Sequence, residues 1–138
     1  PAPAEFSNTA NDFWYHTVWS TKHLRRGEIW LAKSCVDNYL KHLLRQMIEW
    51  HARATHGEQF ETWLNGRFLD EWADPRAVAE LRQVFAWYDA QEIARALRAT
   101  MHLFRWLEDE TAAAWGYTPA LEGEGQAADL TRRLLEEM

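Results

Sequence analysis

A short basic segment with a single acid carries the side chains best suited to bind a small charged ligand. Lys22, Arg26 and Lys33 flank Glu28, which follows a glycine directly. A carboxylate at this place could orient an amine or hydroxyl of a ligand, and the cations could meet phosphate groups. Glu28 also lies near the predicted start of a helix, where an acid complements the helix dipole. Residue types alone therefore leave two interpretations open, a ligand-binding rim and a salt-bridged helix corner.

The histidines do not show the spacing of a metal site. No Glu or Asp stands three residues before any of the six, which a Glu-x-x-His site in a helical bundle requires. His51 and His56 are five residues apart, outside the i,i+4 spacing of a helical zinc pair. Arg45 and His51, separated by five residues, resemble the loose signature of HEPN ribonucleases, in which His acts as an acid or base. We therefore predict no metal site and keep an RNase as one alternative.

Composition limits the other classes of function. The chain has 138 residues, 47% of them hydrophobic, which predicts one domain over 1–138 with a packed core. Its net charge is −6, and acids outnumber bases only after residue 107, so no basic field for nucleic acid is present. No segment is apolar enough to span a membrane and no secretory signal is visible. With one cysteine, we expect a cytoplasmic protein without an internal disulfide.

Apolar residues recur every three or four positions nearly throughout, which predicts an all-α bundle of about five main helices. Predicted breaks lie at Gly27, Gly57 and Gly116, and Asp74 and Asp89 are predicted N-caps. The predicted helices cover 9–26, 28–54, 75–86, 90–115 and 127 onward, with two short helical turns around Gly66 in 59–73 and a turn-rich break at 118–126. The predicted core comprises Trp14, Val18, Leu24, Ile29, Val36, Leu40, Leu43, Leu44, Met47, Ile48, Ile93, Leu97, Met101, Phe104, Leu107, Thr111, Leu130, Leu134 and Leu135.

A set of short motifs, in order and with similar spacings along nearly the whole chain, resembles the C-terminal domain of the bacterial aminoglycoside 6-adenylyltransferases, which modify streptomycin. The matching residues are Asn11, Phe13, Trp14, Lys22, Leu24, Arg26, Glu28, Ala32, Lys33, Met47, Ile48, Glu49, Trp50, Gly66, Arg67, Phe68, Leu69, Asp89, Leu103, Phe104, Gly116 and Tyr117. The resemblance implies a helical, substrate-binding domain of an enzyme that transfers AMP from ATP to an aminoglycoside hydroxyl, with magnesium.

The resemblance also implies a partner. Such enzymes have an N-terminal nucleotidyltransferase domain with Gly-Ser and Asp-x-Asp motifs, and neither motif occurs in this chain. We therefore expect no catalytic residue and no cofactor in this chain, ATP and magnesium in a full-length enzyme, and no activity of the chain alone. The expected partner is a nucleotidyltransferase domain, in the same polypeptide or in a separate chain. Exposed apolar surface left by a missing domain would favour self-association.

The resemblance makes the basic segment around Glu28 the predicted substrate-binding surface of the domain. Its residues are Glu28, Arg26, Lys22 and Lys33, with Trp14 packing behind them and Asp89 as a further candidate ligand. The family usually has Trp, Asp and Pro where this chain has Arg25, Gly27 and Trp30, and losing an acid beside Glu28 weakens attraction for a polycation such as streptomycin. The remaining alternatives are a stand-alone interaction module, paired with a separate nucleotidyltransferase chain, and the HEPN-like RNase.

Overall fold

The computed structural model describes residues 1–118 and 121–138, and these form an all-α bundle, as predicted. A π-helical segment, Cys35–Tyr39, joins the second helix to the third, and a 3₁₀ turn, Leu81–Gln83, follows the fifth. The helices are α1 (Pro3–Arg25), α2 (Ile29–Ser34), α3 (Leu40–His56), α4 (Leu69–Trp72), α5 (Pro75–Glu80), α6 (Ala90–Trp115) and α7 (Leu121–Glu136). The most extensive helix–helix contacts are those between α1 and α7 and between α3 and α6.

The predicted breaks and caps are confirmed where local chemistry sets them. Gly27 and Gly116 have φ of 79° and 70°, which L side chains adopt at a cost, and each ends a long helix. Asp74 accepts a hydrogen bond from the Arg76 amide at 2.8 Å, and Asp89 accepts one from the Glu92 amide at 2.9 Å. Both carboxylates satisfy first-turn amides that have no partner within the helix.

Several predicted helix ends are wrong. α1 begins at Pro3 rather than near residue 9, because proline at the first helical position loses no hydrogen bond. α7 begins at Leu121 rather than near residue 127, although it carries two glycines; it packs along α1, and tertiary contact outweighs their low propensity. The rest of that predicted break, at 119–120, lies outside the described residues.

The middle of the chain is less regular than predicted. The predicted helix 28–54 is interrupted by the π segment and continues to His56. Of the two predicted turns around Gly66, only α4 is α-helical; the other is a hydrogen-bonded turn in which the Arg67 amide donates to Leu64 O at 3.1 Å. The predicted helix 75–86 ends at Glu80 and tightens into the 3₁₀ turn.

The core is built mainly by one face each of α1, α3 and α6. Phe13 and Phe104, both fully buried, stack with ring centroids 3.7 Å apart and planes within 4°. Val18 was predicted in the core but is only half-buried, because the inward face of α1 is taken by Phe13 and Thr17 instead. Further predicted core residues that are only half-buried are Ile29, Met101, Leu130 and Leu134.

Candidate functional site

The structure divides the predicted basic segment into two places. Glu28 lies at the turn between α1 and α2, where its Oε1 is 3.0 Å from His23 Nδ1 and 3.8 Å from Arg26 Nη1. The Gly27 turn sets this corner, since the Glu28 amide donates back to His23 O at 3.0 Å. Lys22 is exposed on the last turns of α1. The corner is thus an exposed salt bridge, with the Glu28 carboxylate still 41% accessible to a ligand.

Lys33 belongs to a different feature, an open cavity of about 600 Å³ that we call the Asp37 cavity. Its walls come from α2, the π segment and the stretch before α6, and its lining residues are Trp30, Lys33, Ser34, Asp37 and Tyr88. The α-helix rises 1.5 Å per residue, so Lys33 lies roughly 7.5 Å along the axis from Glu28. The cavity therefore lies near Glu28 along the chain, but of the predicted substrate residues only Lys33 lines it.

Lys33 and Asp37 hold the two walls of this cavity together. Lys33 Nζ donates to Asp37 Oδ2 at 2.5 Å and also to the carbonyl oxygen of Ala86. The Ala86 amide in turn donates to Asp37 Oδ2 at 3.4 Å. The other carboxylate oxygen, Oδ1, is buried and has no partner among the described residues. Asp37 is thus an acid at the cavity wall with acceptor capacity left over, and it was absent from the predicted site.

Two exposed aromatic side chains, Trp30 and Tyr88, line the cavity, and Trp87 precedes Tyr88 in the chain. Trp30 is 72% exposed, Trp87 72% and Tyr88 57%, although large aromatic rings usually bury most of their surface. The position of Trp87 and Tyr88 follows from the cap of α6, because the Asp89 amide donates to Trp87 O at 2.9 Å while its carboxylate caps the helix. Asp89, predicted as a ligand residue, is accounted for as the residue that shapes this loop. The sequence contains nine tryptophans, and this high number was the available signal that some aromatic rings are exposed.

Trp14, predicted to stand behind the site, lies in the core. It is 3% exposed, and its Nε1 donates to Glu108 Oε1 at 3.0 Å. The Arg105 guanidinium lies 4.9 Å from the centre of its ring. These contacts connect α1 to α6 and satisfy the indole N–H, which a buried tryptophan requires. The structure brings Trp14 together with no other residue of the predicted site.

Lys41, which the sequence analysis passed over, is a mostly buried amine next to the Asp37 cavity. Its Nζ donates to Val36 O at 2.7 Å and to Thr100 Oγ1 at 2.9 Å, and it lies 5.2 Å from the centre of the Phe85 ring. Burial lowers the pKa of Lys41 from 10.5 to about 7, and the charge of Asp37 offsets part of this effect. The signal for its burial in the sequence was its position between the core residues Leu40 and Leu43 of α3.

The structure separates the two residues of the RNase pattern. Arg45 contacts Asn65 Oδ1 at 3.3 Å and His42 Nδ1 at 3.1 Å, whereas His51 is 3% exposed and its Nε2 lies 2.8 Å from Glu110 Oε1. They line different cavities, so they form no joint acid–base site. Within residues 1–118 and 121–138 no three His, Cys, Asp or Glu side chains gather in a way that would hold a metal ion. Nor does any described helix have the length and apolarity to cross a bilayer.

Comparison with known proteins shows one consistent relationship. A sequence profile described as Streptomycin adenylyltransferase matches residues 1–133. An aminoglycoside 6-adenylyltransferase of Bacillus subtilis is 27% identical over 105 residues, which cover 76% of this chain and 37% of that protein. An enzyme of the same name from Staphylococcus aureus is 22% identical over 117 residues, 85% of this chain and 42% of that protein.

The fold is shared with a solved structure. A crystal structure of an aminoglycoside 6-adenyltransferase from Bacillus subtilis superposes with a TM-score of 0.85 at 22% identity, over 97% of this chain and 51% of that one. At this identity the superposition shows the fold alone. The chain spans about two fifths of the length of the curated relatives it matches, whose matched shares are 37% to 43%.

Proposed function

We propose, for a chain that belongs to the streptomycin adenylyltransferase family, that it is the substrate-binding C-terminal domain of an aminoglycoside nucleotidyltransferase conferring antibiotic resistance. The enzyme would transfer AMP from ATP to an aminoglycoside hydroxyl. The observation that carries this proposal is the Asp37 cavity, where a carboxylate that is 20% exposed and paired with Lys33 lies beside the exposed rings of Trp30 and Tyr88. Family membership supplies the reaction, and the cavity supplies the chemistry for the substrate.

Aminoglycosides are sugars that carry several positive charges. A carboxylate attracts such a ligand, and a cation placed over the face of a tryptophan or tyrosine is stabilised by the ring. Trp30 and Tyr88 provide the faces and Asp37 the acid. Glu28, with Arg26 beside it, and Lys22 on the last turns of α1 would contact the outer part of a bound substrate. Streptomycin is the aminoglycoside to test first, because the family profile is named for it.

The partner in this proposal is a nucleotidyltransferase domain, since the chain spans only about two fifths of its relatives and lacks Gly-Ser and Asp-x-Asp motifs. That domain would hold ATP and magnesium, because phosphoryl-type transfer relies on metal-bound phosphates. It would be joined to this chain or supplied as a separate chain. We accordingly expect the 138-residue chain alone to transfer no AMP. We place the complete enzyme in the cytoplasm.

The decisive experiment is a calorimetric titration of the chain with streptomycin. The variants are Asp37→Asn and Glu28→Gln, each of which removes one charge and keeps the side-chain size. If Asp37 binds an amine or guanidine of the drug, Asp37→Asn should weaken binding about tenfold, the ordinary value of one charged hydrogen bond. Glu28→Gln should weaken it less, since Glu28 does not line the cavity with Trp30 and Tyr88.

The matched control is Asp109→Asn, an exposed acid on α6 that lines none of the cavities described. It changes the net charge by the same amount, so an equal loss with Asp109→Asn would show general electrostatic attraction and contradict a site at Asp37. Absence of streptomycin binding to the wild-type chain, whose folding is checked by circular dichroism, would contradict the substrate-binding role. AMP transfer by the chain alone would contradict the division of labour between the two domains.

A further inference from the structure

A second cavity, between α6 and α7, is lined by more positive than negative side chains, unlike the Asp37 cavity, where Lys33 and Asp37 balance. It has a volume of about 340 Å³, within the range of small-molecule sites. We call it the arginine cleft, because three arginines line it: Arg98 and Arg105 on α6 and Arg132 on α7. Within a chain of net charge −6, this concentration of positive charge is unusual. Neither the family resemblance nor the proposed function uses these residues.

The helix spacing explains why the cations converge. Arg98, His102 and Arg105 lie at i, i+4 and i+7, which places them along one face of α6. On α7, Asp129 and Arg132 are three residues apart and face this stripe across the cavity. Two helices that meet along such faces bring their long basic side chains to one opening.

The arginines keep donors available for a ligand. Among the described residues, Arg98 Nη2 makes only a long bond of 3.5 Å to Leu135 O, and Arg132 pairs with Asp129 at 3.3 Å through side chains that are 64% and 67% exposed. Arg105 lies over the Trp14 ring, and its buried Nε has no partner in the described part of the chain. An exposed pair such as Arg132–Asp129 holds its members weakly, so an anion can replace Asp129.

Only one described carboxylate lines the cleft, and two other acids, Glu80 and Glu108, contact lining residues from outside it. Asp129 is that carboxylate. Glu80 approaches the edge, 3.8 Å from His102 Nε2, but its other oxygen accepts from Arg76 Nε at 2.7 Å. The described lining therefore carries three arginine charges against one carboxylate. The forked guanidinium groups match the geometry of phosphate and carboxylate oxygens.

The floor of the cleft is apolar. Met101, Ala128 and Leu135 line it, together with the edge of Trp14. A free inorganic ion would leave this surface in contact with water, whereas a ligand with an apolar body would cover it and gain from its burial. We propose that the arginine cleft binds a small amphipathic oxyanion, a phosphate or carboxylate group carried on a compact apolar body.

This proposal is independent of aminoglycoside binding, because the cleft uses α6 and α7 whereas the Asp37 cavity uses α2 and the π segment. Phenyl phosphate and benzoate are suitable test ligands, since each places an oxyanion on one apolar ring, and phenol is the uncharged control. We expect both anions to bind the wild-type chain at a single site in calorimetry at low ionic strength. Phenol should bind at least tenfold more weakly, because it makes no charged hydrogen bond.

Two substitutions with opposite effects test the site. Arg132→Gln should weaken phenyl phosphate binding about tenfold, whereas Asp129→Asn should strengthen it by removing the competing carboxylate. Arg133→Gln is the matched control, since it removes the same charge from the next position of α7 but does not line the cleft. All three residues are exposed, so thermal unfolding should show the variants folded.

The results separate a built site from general attraction. Weaker binding in Arg132→Gln with unchanged binding in Arg133→Gln supports the cleft, for whichever of the two anions binds. An equal loss in both arginine variants, phenol binding as strong as phenyl phosphate, or no anion binding at millimolar concentration would each overturn the proposal. A ratio of the two anion affinities in favour of phenyl phosphate would identify phosphate as the preferred group, and the reverse ratio would identify carboxylate.

Discussion

The buried amine of Lys41 makes the stability of the protein depend on pH in a direction opposite to that of most lysines. Its pKa is lowered from 10.5 to about 7, chiefly because burial removes the ammonium group from water. Below pH 7 the side chain is charged in both the folded and the unfolded state, and the full cost of burial is present. Above pH 7 the folded state releases the proton while the unfolded state keeps it, so stability rises with pH until 10.5.

The size of the effect follows from these two values. With pKa values of about 7 in the folded state and 10.5 in the unfolded state, the linkage relation gives a gain on the order of 1–2 kcal/mol between about pH 7 and about pH 8.5. This interval lies below the titration of Cys35, whose pKa burial raises above 9.0. It also lies below that of Tyr39, whose pKa is raised to about 12, first by its hydrogen bond to Asp12.

The measurement is urea unfolding followed by tryptophan fluorescence at several pH values within this interval, for the wild-type chain and Lys41→Met. Methionine keeps the length of the side chain but does not titrate. Loss of the bonds to Val36 and Thr100 changes its stability by an amount independent of pH. The difference in unfolding free energy between the two proteins should therefore shift by roughly 1–2 kcal/mol across the interval. If the free energies of unfolding of the two proteins change in parallel with pH, the prediction that Lys41 titrates as a buried amine is wrong.

Two further predictions concern the packing of the bundle and its helix ends. Phe104→Ala should lower the free energy of unfolding by about 3–5 kcal/mol, because Phe104 is fully buried against Phe13. Phe85→Ala is the control and should lower it less, because Phe85 is 53% exposed. Equal losses of both variants in urea unfolding would contradict this account. Gly116→Ala should lower the melting temperature, since φ is +70°, and should cost about 1 kcal/mol. Gly125→Ala, inside α7 with no neighbour within 4 Å of the new Cβ, should raise it by a gain of about 0.5–1 kcal/mol, and a common sign for both would argue against the assigned backbone conformations.

Local chemistry made much of the fold predictable. The N-caps at Asp74 and Asp89 and the glycine ends at Gly27 and Gly116 act over a few residues, so their effects can be inferred from neighbouring positions. The start of α1 at Pro3 also has a local signal, proline at the first helical position, which the predicted boundary did not use. The start of α7 at Leu121 could not be inferred in this way, because α7 contains glycines and is stabilised by packing along α1, far away in the sequence.

The position of the candidate site stays a prediction. The charges around Glu28 and the resemblance to the family placed ligand chemistry at the junction of α1 and α2, and of the residues named there Lys33 lines the Asp37 cavity. Asp37 was missed because its importance comes from the Ala86 backbone, 49 residues away, and from exposed rings in the loop before α6. The sequence pattern of α2 alone does not indicate that the loop before α6 packs beside it.

By itself, the sequence determined the helical class, most of the chain breaks and the family, because each depends on residue type and on short spacings along the chain. The tertiary structure alone decided which side chains meet. It joined Lys33 and Asp37 to the segment before α6, buried the Lys41 amine and brought Arg132 of α7 opposite Arg105 of α6. Such meetings depend on how helices distant in sequence pack together, and the packing of a whole core sets that arrangement, not the propensity of any one segment.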